Sequence, residues 1–209
     1  MPPIRTAATG SAWLIRHGES TWNALGLTQG HADQAELTGK GQRQAAEVAA
    51  RLAGIPARAL YASDLRRARQ TAAPVAAALG LPVTPDTRLR ERSLGVLEGT
   101  LAAGNGPSVT GLDLGAGRIT DPDRRPRGGE SVRDLYRRAA SFADEVIVSD
   151  ASPAGDIVVI AHGGTLRVLR SYLTGITVEE MDWAALPNAT VFTVPRLSGF
   201  ICQPGKERI

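Results

Sequence analysis

Apolar and polar positions along this chain fall into two alternating rhythms. Residues 12–15 form a short apolar run of the kind that buries as a strand. After Thr38, a good N-cap, Ala45, Val48, Ala49 and Leu52 recur at helical spacing until Gly54 breaks the pattern. Residues 59–62 predict a second strand, and a helix follows from about Asp64 to Leu79, again ended by glycine. Residues 82–89 have room for a short strand. Ser131 with Asp134 three positions on is a capping-type start for a helix running to Val148. In the best strand of the chain, residues 156–161, Ile157, Val158, Val159 and Ile160 are continuously apolar, as in a sheet covered on both faces. A helix over 165–172, a small one near 179–185 and closing strands at 189–194 and 200–202 complete the pattern.

This alternation predicts an α/β fold, a three-layer α/β/α sandwich with a mostly parallel central sheet. A length of 209 residues suits one domain over 1–209 with a substantial core. Residues 1–11 read as a short flexible lead-in. Residues 99–129 differ from the rest: they are rich in Gly, Pro, Asp and Arg, have little periodicity, and are too long for a simple connection. That is the profile of a lid-like excursion.

Composition narrows the classes of function. Hydrophobic content of 43% is ordinary for a globular protein. No apolar run reaches the roughly 18–20 residues that span a bilayer, so no membrane association is expected. The single cysteine, Cys202, excludes an internal disulfide and points to a reducing, cytoplasmic setting. Net charge is +3, carried almost entirely by arginine, and aromatic residues make up 4%. A nucleic-acid binder would show a basic stripe interleaved with aromatics, so no nucleic-acid partner is expected. Oligomeric state is not legible, with a homodimer one option.

The informative chemistry lies in Leu14-Ile15-Arg16-His17-Gly18-Glu19-Ser20-Thr21-Trp22-Asn23 and in Ile160-Ala161-His162-Gly163-Gly164. Two of the three histidines follow a buried strand and precede glycine. Such a position is the C-terminal edge of a sheet, where open α/β folds bind ligands. Arg16 beside His17 adds the usual partner of an anion. The pair of edges suggests a phosphate pocket with a nucleophilic or acid–base histidine. Three histidines and one cysteine are few for a structural zinc site.

Further motifs line up with these two. Ser63-Asp64-Leu65-Arg66-Arg67-Ala68-Arg69-Gln70-Thr71 opens the helix after the second strand. Glu91-Arg92-Ser93-Leu94-Gly95-Val96-Leu97-Glu98-Gly99 follows the third, and Gly129-Glu130-Ser131 opens the later helix. Together and in this order, they resemble the histidine phosphatase superfamily, in its phosphoglycerate mutase-like branch, over about residues 13–192. The resemblance implies a phosphoglycerate mutase-like fold and a covalent mechanism. His17 would be the nucleophile, while Arg16, Arg67 and His162 would carry the charge of the transferred phosphoryl group. Asn23 and the Gly163 N–H would complete the cradle, and Glu91 would be the general acid, with Glu19 and Glu98 as competitors. Gln29-Gly30 resembles the Gln-Gly of phosphatase members. No metal and no cofactor are needed, since fixed cations replace them. His31 matches no motif position and reads as a loop residue. Arg66 and Arg69 read as solvated or ion-paired, and Arg118, Arg124, Arg125 and Arg127 as a solvated loop near the entrance.

Three activities compete under that resemblance. Mutases of this kind carry a longer insertion after Glu-Gly, a Thr-Gly-Trp element after the first motif, and His-Tyr after the acidic residue. This chain has a short insertion, Leu27-Thr28-Gln29-Gly30, and Ser93-Leu94 at those places. The departures favour a phosphatase acting on a small phosphomonoester over a mutase. A non-catalytic phospho-ligand binding module would typically have lost one of the reactive residues. Selectivity is expected from residues 25–35 and 99–129. The lack of an aromatic cluster there points to a small polar substrate.

Overall fold

The computed structural model describes residues 10–149 and 155–196. Its centre is a five-stranded sheet of β1 (Ser11–Arg16), β2 (Ala57–Ala62), β3 (Val83–Pro85), β4 (Asp156–Ala161) and β5 (Val191–Pro195). The spatial order is β3-β2-β4-β1-β5. All pairs are parallel except β1 with β5. The three-layer prediction therefore holds, with one antiparallel edge strand.

The continuous apolar run in β4 has two faces to fill. Ile157, Val159 and Ala161 pack with Ala12 and Leu14 against α5 (Val132–Phe142) and α6 (Gly163–Leu173). Val158 and Ile160 point the other way with Ile15, Leu60 and Ala62, against α2 (Gly39–Leu52) and α3 (Arg66–Leu79). The caps read from sequence are present. Thr38 accepts the Gly41 N–H at 3.0 Å, Ser131 and Asp134 form a capping box, and Gly80 ends α3 in the left-handed region. The helix expected to reach Val148 does so by changing to π-helical turns over Ala143–Val148. Strand β1 begins one residue early, because the Asp156 carboxylate accepts both the Ser11 N–H and the Trp13 indole at 2.8 Å.

The small helix expected near 179–185 is absent. Asp182 bridges to Arg118 instead, and the Trp183 N–H donates to the Gly117 carbonyl at 2.8 Å, which draws this segment out along the excursion. The expected strand at 200–202, like Cys202, lies outside the described residues. The excursion is folded: α4 (Pro107–Thr110) precedes a small hairpin of Leu112–Asp113 with Arg118–Ile119. A single-turn helix α1 (Thr21–Ala24), capped by Ser20, was not legible from periodicity. Among the described residues no helix is long and apolar enough to cross a membrane.

Candidate active site

Strands β1 and β4 lie side by side and end together, and this brings the two histidine motifs into contact. The His17 N–H continues the pairing by donating to the Ala161 carbonyl at 3.0 Å. The imidazoles of His17 and His162 then meet edge to face, with centroids 5.1 Å apart. Beyond His17 the chain turns sharply at Gly18, whose N–H donates to Thr71 Oγ1 of α3 at 3.1 Å. A Cβ on Gly18 would collide with the Gly41 carbonyl oxygen, and one on Gly41 with the Glu19 carbonyl oxygen. Two glycines thus let the first turn of α2 pack backbone to backbone on this loop. Asn188 closes the loop from the far side, its amide donating to the His17 and Gly18 carbonyls at 3.1 and 3.3 Å and to Asn23 Oδ1 at 3.1 Å.

The local bonds fix the chemistry of His17. Its Nδ1 lies 2.7 Å from the Gly18 carbonyl oxygen. A carbonyl can only accept, so Nδ1 carries the proton and Nε2 keeps a free lone pair. Burial, followed by the charges of Arg67 and Arg16, holds the imidazole well below its ordinary titration range. His162 lies fully buried behind it, with Nε2 2.8 Å from Ser63 Oγ, and is pushed the same way by burial, Arg67, His17 and Arg16.

Arg67 projects from the first turn of α3 and is 1% exposed. Its terminal nitrogens donate to the Ala32 and Gly30 carbonyls, each at 2.8 Å. Arg16 donates to the Leu186 carbonyl. Desolvation lowers both guanidiniums to about 10, still charged at neutral pH. Among the described residues, three buried side-chain nitrogens have no hydrogen-bond partner: Arg16 Nε, Arg67 Nε and His162 Nδ1. Buried polar atoms are normally satisfied. Here three orphans belong to the cations and the imidazole that surround His17. Such a cluster is built to receive an acceptor-rich group.

Glu91 stands opposite. Its Oε2 accepts the Gly164 N–H at 2.9 Å and its Oε1 the Arg92 N–H at 2.8 Å. The segment behind it is clamped from α5. Arg138 donates to the Arg88, Arg90 and Glu91 carbonyls at 2.8, 2.9 and 3.1 Å while paired with Glu130 at 2.7 Å. His31 Nε2 donates to the Glu91 carbonyl at 2.8 Å. The rival carboxylates are engaged elsewhere. Glu98 Oε1 accepts the His31 and Leu94 N–H groups, both at 2.9 Å, and Glu19 pairs with Lys40 at 2.8 Å outside the cavity.

A cavity of about 470 Å³ opens over these groups. Arg16, His17, Asn23, Gln29, Gly30, Arg67, Glu91 and Gly163 all line it, and His162 sits beneath. Asn23 and Gln29 are joined through Ser20, whose hydroxyl lies 3.0 Å from Asn23 Oδ1 and 2.9 Å from Gln29 Oε1. Residues 94–114 contribute to the wall, and so does a segment with no sequence signal, Trp183 to Leu186. The outer wall sets leucines and Trp183 beside Thr28, Asn105 and Thr110. Missed from sequence were Asn188, Ser63 as partner of His162, and Arg92 and Arg167 in the wall. Their partners are distant in sequence, so spacing carried no signal, although Ser63 and Arg92 both lay within motifs. Arg66 pairs with Glu36, Arg118 with Asp113 and Arg125 with Asp134, as solvated arginines do. The described residues contain no group of three or more His, Cys, Asp or Glu able to hold a metal ion.

The chain is similar to known proteins. Residues 12–198 match the family model described as histidine phosphatase superfamily (branch 1). The chain is 39% identical to phosphoglycerate mutase-like protein 4 of Arabidopsis thaliana, over 75% of this chain and 67% of that one. It is 38% identical to a probable phosphoglycerate mutase of Yersinia enterocolitica (78% and 74%). With a glucosyl-3-phosphoglycerate phosphatase of Mycolicibacterium vanbaalenii the identity is 34% (83% and 77%). Among solved structures, a mycobacterial glucosyl-3-phosphoglycerate phosphatase in complex with VO3 superposes with a TM-score of 0.77 at 30% identity, covering 91% of this chain and 96% of that one.

Proposed function

This chain belongs to the histidine phosphatase superfamily, branch 1, and we propose that it hydrolyses a phosphomonoester through a phosphohistidine on His17, without a metal ion. The observation that carries this reading is the trio of orphaned buried nitrogens around a neutral His17 with a free Nε2. Nε2 attacks phosphorus, the P–N bond forms and the ester P–O bond breaks. The leaving alkoxide takes a proton from Glu91. Each Glu91 oxygen accepts one N–H and keeps a second lone pair on which that proton is held. In the second step water attacks phosphorus, Glu91 takes its proton, and the P–N bond breaks to release phosphate and neutral His17. Arg16, Arg67 and His162 meet the charge on the equatorial oxygens, the main demand of phosphoryl transfer. With the Ser63 hydroxyl donating to Nε2, His162 offers an N–H from Nδ1. Asn23, Gln29 and the Gly163 N–H complete the cradle.

His17→Ala is expected to abolish turnover and to trap no acid-labile, alkali-stable phosphoenzyme on alkaline quench, whereas His162→Ala slows turnover and still folds. Normal labelling of His17→Ala would overturn the assignment, as would full activity only with added magnesium after EDTA treatment. The names of several relatives favour mutase-type transfer as the second reading. Formation of 2-phosphoglycerate from 3-phosphoglycerate faster than phosphate release would establish it.

A further inference from the structure

The cavity, at about 470 Å³, exceeds what a phosphate needs, and its two halves differ in chemistry. Its floor holds His17, the arginines and Glu91. Its outer wall brings together Leu27, Leu94, Leu112, Leu114, Trp183 and Leu186 from three separate segments. The polar side chains set among them are turned to protein partners. Asn105 donates to Thr28 Oγ1 at 2.8 Å and to Thr100 Oγ1 at 3.1 Å. The Thr110 hydroxyl donates to the Gly106 carbonyl at 3.1 Å, and Arg92 donates to the Thr110 carbonyl at 2.8 Å. Arg167 bonds the Ala184 carbonyl and lies 5.4 Å over the Trp183 ring. Hydroxyl groups entering this half would lose water and find few free partners, an unfavourable exchange. Apolar groups would only displace water.

The rim continues the pattern. A bridge between Leu27 and Leu101 ties the two segments that form the mouth. Leu101 is 64% exposed and Leu114, which lines the cavity, 48% exposed; Leu25 and Val96 on the same segments are exposed too. A single exposed leucine means little, but Leu114 in the lining and Leu101, bridged to the lining residue Leu27, put exposed apolar surface at the opening.

Building on the phosphatase reading, we propose that the substrate is the phosphomonoester of an apolar body, alkyl or aryl, which fills the outer half and reaches the leucine rim. The competing class is a substrate with a second anionic group. Arg92 is buried and has no carboxylate within ion-pairing distance among the described residues, and it would suit such a group.

Three phosphates of primary alcohols, with leaving alkoxides of similar basicity, separate the classes: n-hexyl phosphate, glucose 6-phosphate and 3-phosphoglycerate. The kcat/KM for hexyl phosphate should exceed that for glucose 6-phosphate on the order of 10²-fold, at about fourfold for each of roughly three to four methylenes that the outer half buries. Leu114→Asn should narrow that ratio. A binding arm needs no turnover: hexylphosphonate should bind on the order of 10²-fold tighter than methylphosphonate. Equal kcat/KM values, or preference for glucose 6-phosphate or 3-phosphoglycerate, would overturn the apolar assignment and leave the phosphatase standing. Tight hexylphosphonate binding with no turnover of any ester would support the apolar subsite and overturn the phosphatase reading.

Discussion

A histidine that attacks phosphorus must present an unprotonated nitrogen, and His17 meets that requirement through its own neighbour: the Gly18 carbonyl accepts a hydrogen bond from Nδ1–H, which leaves the Nε2 lone pair free. In the proposed mechanism Glu91 has the complementary task of delivering a proton, and its importance would scale with the basicity of the leaving group. An alkyl phosphate leaves as a strong base; p-nitrophenyl phosphate leaves as a weak one. Glu91→Gln should therefore slow hydrolysis of an alkyl phosphate on the order of 10²–10⁴-fold and that of the aryl ester far less. Steady-state rates on both esters check this, and equal losses would assign Glu91 a purely electrostatic role. Glu98→Gln should show no such selectivity, since its Oε1 is occupied by the His31 and Leu94 N–H groups. At this scale the candidate residues that line the cavity were legible because motif chemistry is local. Asn188 was not, because it acts on His17 across 171 positions of sequence.

Among the elements, helix α2 shows how packing overrides propensity. Gly39 and Gly41 both lie in its first turn, where alanine would ordinarily be favoured by about 1 kcal/mol. A Cβ on Gly39 meets only the far end of Arg43 at 3.8 Å, whereas one on Gly41 collides with the Glu19 backbone oxygen. Gly39→Ala should be neutral or stabilising. Gly41→Ala should cost about 1–3 kcal/mol, the usual penalty of overpacking, and lower activity by displacing the His17 loop. Urea unfolding of the two variants checks the order, and equal stability would refute the contact. The same override explains residues 179–185, where a helix was expected. The Trp183 N–H finds its partner on Gly117, 66 residues away, rather than one turn back. No local pattern can announce such a bond.

For the molecule as a whole, placing two neutral histidines in one buried site makes stability depend on pH. Unfolded, both imidazoles bind a proton near about pH 6.5. Folded, burial and the neighbouring guanidiniums hold both well below that value. Below about pH 6.5 the unfolded chain therefore binds more protons, so stability falls as pH drops through that value and continues to fall until the folded imidazoles titrate. Carboxylates such as Asp64, held down by its hydrogen bond from Arg90, act in the same direction but only below about pH 4. The urea midpoint should thus fall between pH 7.5 and 5.5, and fall less in His162→Gln. A midpoint unchanged over that interval in the wild-type protein would contradict the neutral assignment.

The sequence by itself determined the alternation of strands and helices, the caps of α2 and α5, and most of the candidate side chains that line the cavity. Those features rest on periodicity and on motifs whose members are close along the chain. Only the tertiary structure decided how the sites are completed. It set β1 beside β4, so that two distant histidines touch, and left three buried nitrogens without partners. It also drew Trp183 and Leu186 over the mouth to join leucines from two other segments. An apolar wall assembled from separate segments has no period to read. Each leucine alone looks like ordinary core or loop, and its meaning arises from what faces it across the cavity.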